Sequence, residues 1–136
     1  GLQLAFIRTE SNFRPRAKTP RKYFLGIIPN GRISSAYGYA QALDGTWDWY
    51  QKSTGNRSAR RTNFSDSVDF IGWYVDQSYQ KLGISKSDVY KQYLAYHDGH
   101  AGYARGASNS SEAIRAVAKR TSYYAKKFSS QLRQCN

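Results

Sequence analysis

The chain is poor in the residues that staple small proteins or carry metal chemistry: one cysteine, no methionine, three prolines and two histidines in 136 residues. A lone Cys135 excludes an internal disulfide framework. With His97 and His100 as the only histidines, no spaced ligand set for a structural or catalytic metal exists, and no cofactor is expected. Phosphate-cradling glycine motifs and nucleophile triads are also missing. Apolar runs such as Leu25-Gly26-Ile27-Ile28 fall far short of the ~20 residues that span a bilayer as a helix. Acidic residues are the other scarcity, nine Asp and Glu against 21 Lys and Arg, and only Glu10 and Glu112 are glutamates. Up to Leu43, Glu10 is the sole acid among Arg8, Arg14, Arg16, Lys18, Arg21, Lys22 and Arg32.

What is present suits one folded domain over residues 1–136. Apolar residues make up 40% and aromatics 15%, with 12 tyrosines and three tryptophans, too many for a disordered basic tail. A chain of this length buries roughly two-thirds of its unfolded surface and needs no staple. The net charge of +12 favours an anionic partner: nucleic acid, an anionic membrane surface or a bacterial wall polymer. The chain opens at Gly1 and runs at once into Leu2, Leu4, Ala5, Phe6 and Ile7, which reads as the interior of a helix. The expectation is an N-terminal truncation, whose missing segment would carry any targeting signal, membrane anchor or partner for Cys135.

Apolar spacing predicts five helices, an irregular insert and little strand, a mainly α fold. The first runs from Gly1 to about Ser11, with Ala5, Phe6, Ile7 and Glu10 grouped on one face, and ends at Asn12 and Arg14-Pro15. From Ala17 to Ser35 the reading is an ordered loop, with a possible hairpin of Tyr23-Phe24-Leu25 and Ile27-Ile28 about Pro29-Asn30-Gly31. Asp44 is expected to cap a short helix through Trp47 and Tyr50 that stops near Gly55. Ser65 or Asp66 is expected to cap the next, where Val68, Ile71, Val75, Tyr79 and Leu82 recur and Gly83 closes. Ser85-Lys86-Ser87-Asp88 resembles a capping box, opening a helix with Val89, Tyr93 and Tyr96 that halts at Asp98-Gly99; Gly99, Gly102 and Gly106 then mark a loop. Ser110 or Ser111 caps a last long helix with Ile114, Val117, Thr121, Tyr124, Phe128 and Leu132 inward.

Glu10 carries the chemical interest. A carboxyl buried against Phe6 and Ile7 is disfavoured in its ionised form, so it stays protonated and can donate to a leaving group, although Arg8 and Arg14 oppose this if they point inward. An ordinary last-turn glutamate is the plainer reading of the same position.

Three short motifs in order set Glu10 in a context. Glu10-Ser11, followed by Asn12-Phe13-Arg14-Pro15-Arg16-Ala17, is similar to the Glu-Ser-x-Phe-x-Pro-x-Ala signature of the soluble lytic transglycosylases, relatives of goose-type lysozyme. Ser35-Ala36-Tyr37-Gly38-Tyr39-Ala40-Gln41 resembles the family's Gly-Leu-Met-Gln block, with Gly38 and Gln41 matching. Leu94-Ala95-Tyr96-His97-Asp98-Gly99 resembles its Ala-Tyr-Asn-x-Gly block, with Tyr96 and Gly99 matching. Together they cover nearly the whole chain.

The resemblance implies a mainly α, lysozyme-like (α+β) fold with a substrate cleft, and a non-hydrolytic cleavage of peptidoglycan. Glu10 would protonate the glycosidic oxygen between N-acetylmuramic acid and N-acetylglucosamine. It would then take the proton of the muramoyl 6-hydroxyl, leaving a 1,6-anhydro product. Hydrolases normally need a second carboxylate; Asp44, Asp48 and Asp98 are the candidates, and none is compelling. The resemblance assigns Ser11 and Gln41 to supporting substrate or acid, and Tyr96 to orienting around Glu10. Gly38 would let backbone approach a sugar. Tyr39 would bind substrate or serve packing. A last-helix tyrosine would line the cleft, with Tyr124 the better spaced candidate and Tyr123 the other.

Two departures stand out. His97-Asp98 replaces the family's Asn, although His97 can still exchange a hydrogen bond with an N-acetyl group. The Lys18-to-Ser34 insert is longer than the usual spacer and is either a lid or a surface flap. The expected partner is the peptidoglycan glycan strand rather than nucleic acid, the location the periplasm or cell envelope, with membrane association through the missing segment, and the state monomeric. A hydrolytic lysozyme is the first alternative. The second is a non-catalytic basic module for wall polymer or nucleic acid, since Arg115, Lys119, Arg120, Lys126, Lys127 and Arg133 give the last helix six cations against Glu112.

Overall fold

In a computed structural model of the chain, residues 1–18 and 35–135 are described, so the Lys18-to-Ser34 lid or flap and the hairpin about Pro29 lie outside the described residues apart from Lys18. Five α-helices follow one another: α1 (Leu2–Ser11), α2 (Asp44–Thr54), α3 (Phe64–Leu82), α4 (Val89–Ala104) and α5 (Glu112–Gln134), with a 3-10 turn at Ala107–Ser110 before α5. The mainly α expectation holds. Among the described residues the β pairing is two isolated antiparallel bridges, Lys18 with Tyr37 and Tyr37 with Ala42.

The helices meet where their sequences are most apolar. Phe6 and Ile7 of α1 join Trp47 and Tyr50 of α2, Phe70 and Ile71 of α3, Tyr93 of α4 and Ile114 and Ala118 of α5 in one core. The aromatic share is high: Tyr50 and Phe70 are edge-on at 5.4 Å, and Phe6 and Tyr93 likewise at 5.4 Å. Such pairs add ~0.5–1.5 kcal/mol each beyond the area they bury. Helix α1 lies chiefly along α5. There Thr9 and Thr121 share a 2.6 Å hydrogen bond between hydroxyls. Gln92, fully buried on α4, donates to the carbonyls of Ile84 and Ser85 and so ties that helix to the loop before it.

Several expected helix ends are corrected. Leu43 is the N-cap of α2 and Asp44 falls in its first turn. The cap of α3 is Asn63, whose side chain accepts from the Asp66 N–H at 2.9 Å. The Asp66 carboxylate is engaged elsewhere, accepting from the Arg60 N–H at 2.9 Å. Asp88 caps α4 alone, accepting from the Lys91 N–H at 3.1 Å, while Ser85 accepts from Ser87 in the turn before it. Ser111 caps α5. Glycines end two helices as expected: Gly55 and Gly83 are left-handed C-caps of α2 and α3.

The helical backbone of α4 breaks at Gly99, at φ 77°, ψ 162°, where the halt was expected, but a second helical piece runs on to Ala104, so Gly102 is helical and buried rather than part of a loop. That backbone conformation is open essentially to glycine alone. The inward rows are partly as expected: on α3 Ile71 and Val75 are buried, joined by Phe70, Tyr74 and Ser78, whereas Tyr79 is 51% exposed. On α5 Ala118 and Ala125 join Ile114 and Thr121 inside, and Leu132 is exposed.

Candidate active site

Helix α1 places Glu10 in its last turn, 3% exposed, on the face that carries Phe6 into the core. Asn12, left-handed at φ 51°, stops the helix at once with its N–H on the Arg8 carbonyl, so the chain turns away just after the acid. Ser11 is fully buried and its hydroxyl donates to the Ile7 carbonyl at 3.1 Å within its own helix.

The second motif forms a tight loop. The Gly38 N–H donates to the Ala17 carbonyl at 2.9 Å and the Tyr39 N–H to that of Arg61 at 3.2 Å. Gly38 sits at φ 83°, and a Cβ there would fall 2.2 Å from the Arg61 carbonyl oxygen. Its lack of a side chain therefore answers to protein backbone on that side. Gln41, itself left-handed at φ 52°, donates through Nε2 to Ala17 at 2.7 Å and Gly38 at 2.9 Å. The first and second motifs are thus bonded to each other across 24 positions.

The third motif completes the wall. Tyr96 packs on Phe6 at 5.0 Å and on Tyr74 at 5.2 Å, and its hydroxyl donates to the Ala40 carbonyl at 2.5 Å. Burial first, then the charge of Glu10, then Tyr74, holds the Tyr96 hydroxyl well above the usual phenol range. It stays protonated, and Glu10 lies within electrostatic reach of it. Tyr74 is pushed up to about 12 by burial and by the charge of Asp98. A cavity of about 130 Å³ opens here, lined by Gln41, Thr46, Tyr74, Tyr96, His97 and Asp98 among others. His97 and Asp98 meet as a buried pair, Nδ1 to Oδ1 at 3.0 Å, with side chains 4% and 1% exposed. Asp98 Oδ2 also accepts from the Ser108 hydroxyl.

Other candidates lie apart. Tyr39 lines a separate cavity of about 640 Å³ with Arg14, Arg16, Lys18 and Thr62. Tyr124 carries the Arg8 guanidinium over its ring at 5.0 Å and is absent from the wall of the Tyr96 cavity. Tyr123 is 61% exposed. Of the acids considered as second carboxylates, Asp44 pairs with Arg61 at 2.9 Å and Asp48 with Lys52 at 2.9 Å, while Asp98 is held by His97 and Ser108. Among the described residues no group of acids, histidines and cysteine is arranged to hold a metal ion.

Sequence reading missed Tyr74, Thr46 and Ser108. Tyr74 was accessible in principle, since Phe70, Tyr74 and Ser78 recur every four residues along α3. Ser108 had no signal, because its partner Asp98 is reached only through the 3-10 turn.

Arranged this way, the buried Glu10 carboxyl lies within electrostatic reach of a protonated Tyr96, and Tyr96 in turn lines a small cavity with Gln41, His97 and Asp98. A family model described as "Transglycosylase SLT domain" matches residues 1–135. No curated protein and no solved structure matches the chain.

Proposed function

Since the chain belongs to the transglycosylase SLT domain family and so acts on peptidoglycan in the lytic-transglycosylase manner, we propose that Glu10 cleaves the β-1,4 bond between N-acetylmuramic acid and N-acetylglucosamine as acid and then base. The observation that carries this reading is the burial of Glu10 beside Tyr96, with each of the three candidate second acids engaged by a partner of its own.

In the first half-reaction the Glu10 proton passes to the glycosidic oxygen as the muramoyl C1–O bond breaks. In the second, the muramoyl 6-hydroxyl forms the C1–O6 bond and its proton returns to Glu10. No water is consumed and the acid is regenerated. Tyr96 is a positioning residue: with its proton committed to Ala40 it fixes the wall and offers only oxygen lone pairs toward the site.

Gln41 and His97 line the cavity and are the proposed sugar contacts, with Ser11 and Gly38 holding the frame behind them. Tyr39 would meet substrate at the Arg14–Lys18 cavity. Tyr124 enters the proposal only as the support of Arg8. The site of action is the cell envelope, on glycan strands.

Mass spectrometry of purified sacculi digested with the protein tests the reading. Anhydro-muropeptides are expected. Reducing ends would convert the assignment to a lysozyme, and undigested sacculi would remove the enzyme.

A further inference from the structure

Away from the Tyr96 cavity, the outer face of α5 carries cations at a seven-residue interval. Lys119, Lys126 and Arg133 form one row, with Arg120 and Lys127 beside it, and all five are exposed. Two helical turns separate successive members, about 10.5 Å of rise. None of the five forms an ion pair among the described residues, whereas Arg115 is spent on the carbonyls of Ser108 and Asn109. Glu112 is the one acid of this helix and stands in its first turn, remote from the row's end.

The row runs into a groove of about 380 Å³ between α5, the start of α1 and the turn before α4. Its walls bring Lys126 and Arg133 opposite Lys86, with the hydroxyl residues Ser87, Ser122 and Ser129, over a floor of Leu2, Val89 and Ala125. Lys86 is shared with Asp76 at 2.7 Å, so Lys126 and Arg133 supply the charge that no acid among the described residues pairs with.

From this we infer that the groove binds a single flexible strand of a phosphodiester polymer without bases. Cations and hydroxyls suit phosphate oxygens, and the apolar floor suits the carbon linkers between them. The concavity decides among polyanions. A flat bilayer surface or a stiff duplex meets the rim of a groove, whereas one strand enters it. Single-stranded nucleic acid would enter too, but the groove offers no aromatic ring on which a base can stack. Such a contact would hold the domain on a phosphate-rich envelope independently of its chemistry at Glu10.

Binding of poly(glycerol phosphate) to the whole protein at increasing salt tests this, comparing wild type with a Lys126→Gln/Arg133→Gln variant and a Lys52→Gln/Arg57→Gln variant of equal charge. Helical signal by circular dichroism verifies folding of each. The groove variant is expected to lose about tenfold in affinity at low salt, and its log–log salt slope to fall by about 1.4, two contacts at about 0.7 each. The control variant should stay within about twofold of wild type. Equal losses in both variants, or no binding by wild type, would overturn the site. So would tighter binding to phosphatidylglycerol vesicles, duplex DNA or single-stranded DNA than to poly(glycerol phosphate), each reassigning the charge to another partner.

Discussion

Tyr96 and Ala40 are joined by a hydrogen bond from the phenol to the main-chain carbonyl, 2.5 Å long and spanning 56 positions. It fastens the third motif to the second, just as Gln41 fastens the second to the first. The three short motifs are therefore one bonded frame around Glu10.

Tyr96→Phe should keep the ring packing on Phe6 and Tyr74 but strand the buried Ala40 carbonyl. A stability loss of about 1–3 kcal/mol is expected from urea unfolding, together with reduced release of muropeptides. An unchanged unfolding midpoint would show that the bond contributes nothing.

Glu10→Gln preserves the shape and removes the exchangeable acid. Sacculus digestion should fall by about 10²–10⁴-fold while the thermal midpoint stays close to wild type. A variant with full lytic activity refutes the assigned acid.

Gly38→Ala and Gly55→Ala are a matched pair, since both glycines have positive φ. An alanine at 55 meets nothing within 4 Å and should cost about 1 kcal/mol, the left-handed backbone alone. At 38 the Cβ collides with the Arg61 carbonyl, and a further loss of at least about 1–3 kcal/mol is expected. Denaturant melts of the two proteins that gave equal losses would remove the close approach as the reason for glycine.

His100 stacks on Tyr74 at 4.6 Å and its Nε2 lies 2.9 Å from the Ser78 hydroxyl. Burial, then the charge of Lys81, holds its pKa below 6.5. The unfolded chain takes up this proton first as pH falls, so His100 lowers stability from about pH 6.5 down to its folded pKa and has no further effect below it. Urea melts at about pH 7.5 and about pH 5.5 should show a smaller acid loss in His100→Gln than in wild type. Identical losses in the two proteins would exclude His100 as the sensor.

Much of this was legible in the chain. Periodic apolar residues and turn glycines marked five helices, and the resemblance of three short motifs to those of the lytic transglycosylases pointed to Glu10, Gln41 and Tyr96. The sequence could not rank neighbouring caps such as Asn63 against Ser65 and Asp66, because each has an acceptor side chain and the choice shows only in the bonds made, Asn63 accepting from the Asp66 N–H and Asp66 from that of Arg60. It could not say that Tyr124 meets the Arg8 guanidinium either, since a helix position says which face a ring occupies but not what lies opposite.

By itself, then, the sequence determined composition, charge and local periodicity: a basic, helical, staple-free domain with one glutamate in its first 43 residues. These follow from short-range physics, where a residue and its neighbours within two turns suffice. The tertiary structure decided the rest. It brought Tyr96 to Ala40, Ser108 to Asp98, and Gly38 against Arg61. Each of these is a contact between distant segments, and burial makes each specific, because a polar group shut away from water must find its partner wherever the fold puts it.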